Sequence, residues 1–170
     1  AIYNTFFDQN QNQQFIAQAL EGKSYFNVNF LGFMPQNNLY NDFLNSNDIV
    51  VGMSGGEGWG LPEFQSVCLG KHAIILNCNG YQGWSNEDNS ILVEPSRKIK
   101  AEDGVFFHKN APYNQGDIFD FEESDFLEAC DAAVERCREN KINLKGEELK
   151  KKFSYSDTFD SLMNHLQEIY

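Results

Sequence analysis

The sequence predicts one α/β domain, a single Rossmann-like fold with a parallel, doubly wound sheet and C-terminal helices. Short apolar runs alternate with helical patterns over residues 1–95. The runs 48–53 and 72–77 are almost continuously apolar, which is typical of parallel strands buried on both faces. Residues 118–170 carry helical patterns only. Strands and helices in regular alternation favour right-handed crossovers and a parallel sheet, so we expect a core over about 1–95 and a helical part over about 118–170.

The first elements follow from local periodicity. Residues 2–7 predict a strand, and apolar residues from Phe15 to Leu20 recur at helical spacing before Gly22, which suits a helix end. Residues 26–30 alternate with period two and predict a second strand. The next helix is predicted from an apolar stripe formed by Leu39, Tyr40, Phe43 and Leu44.

The following segment combines the strongest strand and helix signals. A strand over 48–53 leads through a glycine-rich turn to a helix that starts near Leu61. Pro62 suits the first helical turn and Gly70 the helix end. Further strands are predicted over 72–77 and 91–93.

The remainder of the chain differs in character. Residues 96–117 are polar and predict irregular structure, and a helix is expected from Ser124. The charged segment 145–152 predicts a helix with a solvated lysine face. Ser156 is the expected cap of a last helix. The apolar stripe of that helix contains Phe159, Leu162, Met163, Leu166 and Ile169.

Composition limits the classes of partner. The 13 Lys and Arg residues against 25 Asp and Glu residues give a net charge of −12. Such a surface repels phosphate backbones and anionic lipids, so we expect neither a nucleic-acid partner nor a membrane partner. No apolar run approaches the roughly 20 residues of a membrane span, and the N-terminal residues lack the pattern of a signal peptide. The four cysteines show no metal-binding spacing and predict reduced thiols, no metal site and a cytoplasmic location.

The candidate site is the stretch Ser54-Gly-Gly-Glu-Gly-Trp-Gly-Leu-Pro62, which follows a predicted strand and opens a predicted helix. In α/β sheets, ligands bind beyond the carboxyl ends of the strands. Glycines let a phosphate approach main-chain N–H groups, and the helix start adds free amides with partial positive charge. Glu57 is expected to accept hydrogen bonds from ligand hydroxyl groups. On glycine content alone, a tight structural turn is the favoured explanation of the stretch.

The longer run from Ser54 to Lys71 resembles the donor-site signature of group 1 retaining glycosyltransferases of the GT-B fold. That signature reads Ser-x-x-Glu-Gly-Phe-Gly-Leu-Pro-x-x-Glu-Ala-x-x-x-Gly. The segments 29–33, 44–51, 79–83 and 89–95 resemble further parts of the family pattern in the same order. The resemblance covers residues 26–95 closely and the C-terminal helices loosely.

The resemblance implies one half of a GT-B fold that binds a nucleoside-diphosphate sugar without an obligatory metal or other cofactor. Glu57 matches the catalytic glutamate that contacts the donor sugar, and Gln65 stands where the family has a ribose-binding glutamate. The amides around Gly58, Gly60 and Leu61 would hold the diphosphate. The donor-binding residues that it implies are Gly55, Gly56, Gly58, Trp59, Gly60, Leu61, Gln65, Phe33, Gly80 and Tyr81.

Two departures from the family pattern keep alternatives open. The family's arginine and lysine before this motif are missing, and 170 residues suffice for only one of two GT-B domains. The chain is therefore expected to be a glycosyltransferase of hexosyltransferase type, with a separate acceptor-binding domain or chain as partner. The alternatives are a nucleotide-sugar-binding module that transfers nothing alone and a Rossmann-like domain without this ligand. Trp59, Tyr81 and Trp84 either contact the ligand or pack in the core.

Overall fold

A computed structural model of the protein describes residues 14, 16–18, 20–23, 31, 34–102 and 107–169. The chain divides into two compact units, Ala1–Phe43 and Leu44–Tyr170. In the first unit, residues 16–18 are helical and the Gly22 N–H donates to the Ala17 carbonyl (2.8 Å), which confirms the predicted helix end. The strands predicted over 2–7 and 26–30 lie outside the described residues.

Three parallel strands form the sheet of the second unit. Helix α1 (Asn37–Ser46) precedes β1 (Ile49–Gly52), and helix α2 (Leu61–Cys68) connects β1 to β2 (His72–Leu76). Strand β3 (Ile91–Val93) completes the order β1-β2-β3. In the register, Val50 lies opposite Ala73, and Ile75 lies opposite Leu92. The predicted strands and the helix between them are confirmed.

Strand β2 is the centre of the core because all five of its residues are buried. Its side chains alternate between two apolar clusters. Ala73 and Ile75 pack in one cluster with Val67 of α2. Ile74 and Leu76 pack in the other with alanines of α3 (Glu123–Glu139). Helices therefore cover both faces of this strand, as its continuous apolar run predicts.

The helices after the sheet agree with their sequence patterns except at one cap. After α3 come α4 (Leu144–Lys152) and α5 (Tyr155–Ile169). Asn143 caps α4, and its side-chain oxygen accepts from the Gly146 N–H at 2.9 Å. The prediction of Ser156 as the cap of the last helix is wrong, because the helix begins one residue earlier. Ser154 Oγ accepts from the Asp157 N–H at 3.1 Å instead.

An antiparallel hairpin replaces part of the segment 96–117 that was predicted to be irregular, and its second strand also takes residues 118–120 from the part predicted to be helical. Strands β4 (Arg97–Lys100) and β5 (Asp117–Asp120) pair, with Arg97 opposite Asp120 and Lys100 opposite Asp117. Both pairs carry salt bridges, at 2.5 and 3.2 Å. The prediction missed the hairpin because all of β4 is exposed and its pattern of charges shows no apolar alternation. Opposite charges at paired positions favour the two strands instead.

No helix of the described ranges has the length and apolar character that a membrane span requires. Cys68, Cys78, Cys130 and Cys137 form no disulfide. Burial raises the pKa of the Cys68 thiol to about 11, which keeps it protonated at neutral pH.

The two-sided packing of β2 predicts which substitutions destabilise the fold. Ile74→Ala removes a side chain that is 2% exposed and should lower the free energy of unfolding by about 2–5 kcal/mol. Leu162→Ala in α5, where the side chain is 55% exposed, is the control and should change it by less than about 0.5 kcal/mol. Urea unfolding followed by circular dichroism measures both, and equal losses would contradict the assignment of the core to β2.

Candidate functional site

The candidate site is the loop 53–60, which leaves the carboxyl end of β1 and enters α2. Gly60 precedes the helix with φ at 74°, a left-handed conformation that glycine adopts without strain. Pro62 lies in the first turn, and no side chain caps the helix start. In the described part of the chain, the main-chain N–H groups of Gly60 and Leu61 donate no hydrogen bond. Gly60 is buried and Leu61 is exposed, so the start of α2 offers a free donor at Leu61 together with partial positive charge.

Main-chain hydrogen bonds hold the loop from two sides. The Phe119 N–H of β5 donates to the Gly55 carbonyl at 3.0 Å. The Gly80 N–H, in the 3₁₀ turn Asn79–Gly83 after β2, donates to the Glu57 carbonyl at 3.0 Å. These bonds use carbonyl groups of the loop and leave its amides for other partners. The missed hairpin is thus part of the support of the site.

Three of the predicted glycines have a packing reason to be glycine. A Cβ at Gly55 would lie 1.9 Å from the Phe119 carbonyl oxygen, and one at Gly60 would lie 2.1 Å from the Tyr81 ring. A Cβ at Gly80 would lie 2.0 Å from the Gly58 carbonyl oxygen. These contacts account for the three glycines without any ligand, as the structural-turn alternative expects.

Gly58 differs from those three. A Cβ built there meets nothing within 4 Å, and the backbone conformation does not require glycine. Gly56 is intermediate, because a Cβ there would lie 3.3 Å from the Ile118 side chain, a tight contact that a small shift of that side chain would relieve. Internal packing therefore leaves Gly58 unexplained, and close approach of a bound group to the main chain is a direct reason for a glycine there.

Glu57 is half-buried, and its carboxylate folds onto the main chain of the same turn. Its Oε1 accepts from the Gly58 N–H at 3.0 Å and lies 3.5 Å from the Trp59 nitrogen. The carboxylate thus occupies an anion position on loop amides. A phosphate that binds to these amides must displace it, and the displaced carboxylate then faces the ligand.

The aromatic residues near the loop pack in the core. The Trp84 indole N–H donates to the Trp59 carbonyl at 2.7 Å. The Trp59 ring makes edge-to-face contacts with Phe64 and Phe153. Tyr81 is 1% exposed, and burial raises the pKa of its hydroxyl well above the usual range. The structure places these side chains among apolar neighbours, which favours the packing alternative over ligand contact.

Of the remaining predicted residues, two lie on α2 and one lies outside the described residues. Leu61 and Gln65 are both exposed on α2. Phe33 lies outside the described residues. Within the described ranges, no group of three or more His, Cys, Asp or Glu side chains is arranged to hold a metal ion.

Sequence reasoning missed Glu63, a half-buried carboxylate in the first turn of α2. Its side chain covers the backbone of Gly52 and Gly60, since its Cγ lies 2.7 Å from a Cβ built at Gly52 and its Oε2 lies 3.0 Å from one at Gly60. Burial and the nearby charge of Glu57 raise the pKa of Glu63, against a backbone hydrogen bond that lowers it. The helix-start position of this acid was visible in the sequence, but its burial was not.

No protein-family model matches this chain, and comparison with curated proteins gives no significant match. The assignment of a function therefore depends on the geometry of the loop and on its motif.

The glycine contacts predict that an added methyl group affects stability differently at Gly80 and at Gly58. Gly80→Ala forces a methyl group against the Gly58 carbonyl and should cost roughly 1–3 kcal/mol of stability. Gly58→Ala adds the same methyl group in open space and should change stability by less than about 0.5 kcal/mol. Urea unfolding of both variants measures this difference, and a Gly58 variant as unstable as the Gly80 variant would show that packing explains Gly58 as well.

The raised pKa of Glu63 predicts a pH-dependent stability. Folding favours the protonated form of Glu63. Its contribution to the free energy of unfolding is therefore complete below the usual pKa of 4.5 and is lost as pH rises through the pKa of the folded state. Glu63→Gln is neutral at every pH, so its stability relative to the native protein should be higher at pH 7 than at pH 4. Glu128→Gln on the exposed face of α3 is the control and should show no such change. Equal stability differences at both pH values for Glu63→Gln would refute the burial effect.

Proposed function

We propose that this chain is the donor-binding domain of a glycosyltransferase and binds a nucleoside-diphosphate sugar on the loop 53–60. The observation that carries the proposal is Gly58, a glycine with open space around it, next to uncapped amides at the start of α2. Such amides bind phosphate groups in a protein of any net charge. The position beyond a parallel strand and the resemblance of the motif to the group 1 signature support the same ligand.

In the proposed site, the amides of Gly58, Gly60 and Leu61 hold the diphosphate. Glu57, displaced from the Gly58 amide, accepts hydrogen bonds from the hydroxyl groups of the donor sugar. Gln65 binds the ribose as a neutral partner and replaces the charge-assisted bond of a glutamate, at a loss on the order of 1 kcal/mol. Trp59, Gly80 and Tyr81 support the loop and have no direct part in binding.

The fold that goes with this function is one doubly wound half of a GT-B enzyme. The three parallel strands with helices on both faces of β2 are compatible with such a half. The acceptor-binding domain is then a separate domain or chain. The second candidate is a binding module that holds the nucleotide sugar without transferring it. Residues 1–22 contain no Lys or Arg. The lack of the family's cations there favours the module, since those cations would neutralise the leaving diphosphate.

Ligand-induced stabilisation tests the proposal. The melting temperature is measured with UDP, GDP and ADP, free and sugar-linked, in separate titrations. A ligand at 100 times its dissociation constant should add about 2.7 kcal/mol of stability. Gly58→Ala should weaken binding at least about tenfold while the unliganded protein keeps its stability. If no nucleotide raises the melting temperature, the proposed function is wrong.

Glu57 has a distinct expected signature because its carboxylate competes with phosphate for the same amide. Glu57→Ala should bind the free nucleoside diphosphate more tightly and lose the preference for the sugar-linked form, by roughly tenfold for one charged hydrogen bond. Glu128→Ala removes the same charge from an exposed site of α3 and controls for the overall field. Calorimetric titration measures both ligands, and an unchanged preference for the sugar nucleotide would remove this role from Glu57.

Incubating the chain with the sugar nucleotide and a separate acceptor-binding domain separates the two candidate functions. Turnover of the donor then indicates a glycosyltransferase, whereas binding without turnover indicates a module.

A further inference from the structure

A polar cleft lies next to the candidate loop, at the carboxyl end of β2. Its volume is about 490 Å³. Asn77, Gln82 and Asn86 line it with amide groups, Glu87 and Asp88 with carboxylates, and Leu92 with an apolar surface. None of these residues has a role in the donor site proposed above.

The chemistry of the lining limits the ligand class. The described residues around the cleft include no lysine, no arginine and no aromatic ring, so the cleft lacks the groups that bind a phosphate or stack on a base. Amide groups both donate and accept hydrogen bonds, and carboxylates accept them from hydroxyl groups. An apolar side chain beside such groups suits the C–H surface of a sugar ring. A neutral polyhydroxyl compound matches this combination.

Hydrogen bonds fix several of these side chains in place before any ligand binds. Asn77 Nδ2 donates to Glu94 Oε1 at 2.6 Å, and Gln82 Nε2 donates to the Asn77 carbonyl at 3.2 Å. Asn86 Oδ1 accepts from the Asp88 N–H at 3.0 Å. The oxygen of the Gln82 amide stays available to a ligand hydroxyl. A cleft with oriented polar groups loses less entropy on binding than one with free side chains.

The 3₁₀ turn Asn79–Gly83 forms a shared wall between the cleft and the loop. On one side the Gly80 N–H bonds to the Glu57 carbonyl, and on the other side Gln82 lines the cleft. A saccharide in the cleft would therefore lie across this turn from the loop.

We propose that this cleft binds a neutral saccharide. The role of that saccharide as the acceptor rests on the proposed function, whereas its binding does not. In the transfer, the acceptor hydroxyl oxygen forms a bond to the anomeric carbon of the donor. The bond from that carbon to the diphosphate oxygen breaks, and the hydroxyl proton passes to the departing diphosphate.

Saturation-transfer NMR of the full chain tests the cleft with glucose, mannose, galactose and their β-linked and α-linked disaccharides. At least one of these probes should receive magnetisation from the protein. Gln82→Ala, which removes one hydrogen-bonding amide from an exposed side chain, should bind that probe about fivefold more weakly. Gln167→Ala makes the same change on the exposed helix α5 and should leave the affinity unchanged.

Three results overturn the proposal: no probe binds the native protein, Gln82→Ala binds the saccharide as well as the native protein does, or glucosamine binds where glucose does not. The last result would show a cation site formed by Glu87 and Asp88. The nucleotide titrations give a separate answer, since Gln82→Ala should bind nucleotides as the native protein does. Saccharide binding without nucleotide binding would support the proposal for the cleft and refute the proposal for the donor site.

Discussion

The contact between two neighbouring turns at the carboxyl edge of the sheet organises the rest of the site. The turn after β2 approaches the loop after β1 so closely that the Gly80 N–H reaches the Glu57 carbonyl and no side chain fits at residue 80. This contact fixes the position of Gly58 and Glu57 relative to the strand ends. The same turn carries Gln82 into the adjacent cleft. The loop of the proposed donor site and the cleft of the proposed saccharide site therefore share one support, which reduces the conformational entropy that a ligand would otherwise have to remove.

The electrostatics of the site are local. With a net charge of −12, the protein as a whole repels a nucleoside diphosphate. The Glu57 carboxylate accepts from the Gly58 N–H, so an anionic group of the chain itself occupies this position. Glu63 adds a second carboxyl group close by, and burial raises its pKa. Attraction by fixed amides, opposed by two carboxylates, would give a moderate affinity that depends on what the sugar gains from Glu57.

Apolar patterns in the sequence predicted the fold where burial determines the structure. The continuous run 72–77 gave the central strand, and Leu61, Pro62 and Gly70 marked the ends of the helix before it. The hairpin of β4 and β5 was missed because its strands are held by charge pairs such as Lys100 with Asp117, and paired charges leave no periodic signal.

The donor-site prediction grouped all glycines together. The two positions differ only in their neighbours in the structure. A Cβ at Gly80 would meet backbone atoms, whereas one at Gly58 would meet nothing within 4 Å. Likewise, the burial of Tyr81 and the orientation of Glu63 depend on long-range packing that local sequence does not encode.

This difference between the glycines determines whether the motif indicates a ligand site or only a tight turn. A glycine cluster explained wholly by packing would predict a tight turn and no ligand. Gly55, Gly60 and Gly80 fit that explanation, and they build a turn whose shape is independent of any ligand. Gly58 adds the one position where the turn is open, and Glu57 beside it is the one side chain that reaches back to the exposed amides. A preformed turn with a single open point is what anion binding requires, because the packing glycines supply the rigidity and the open glycine supplies the access.

Transfer of a sugar requires more, namely charge to stabilise the leaving group and an acceptor held at the right distance. The proposed binding of the donor therefore rests on the loop itself, whereas the proposed transfer would depend on groups that another domain brings.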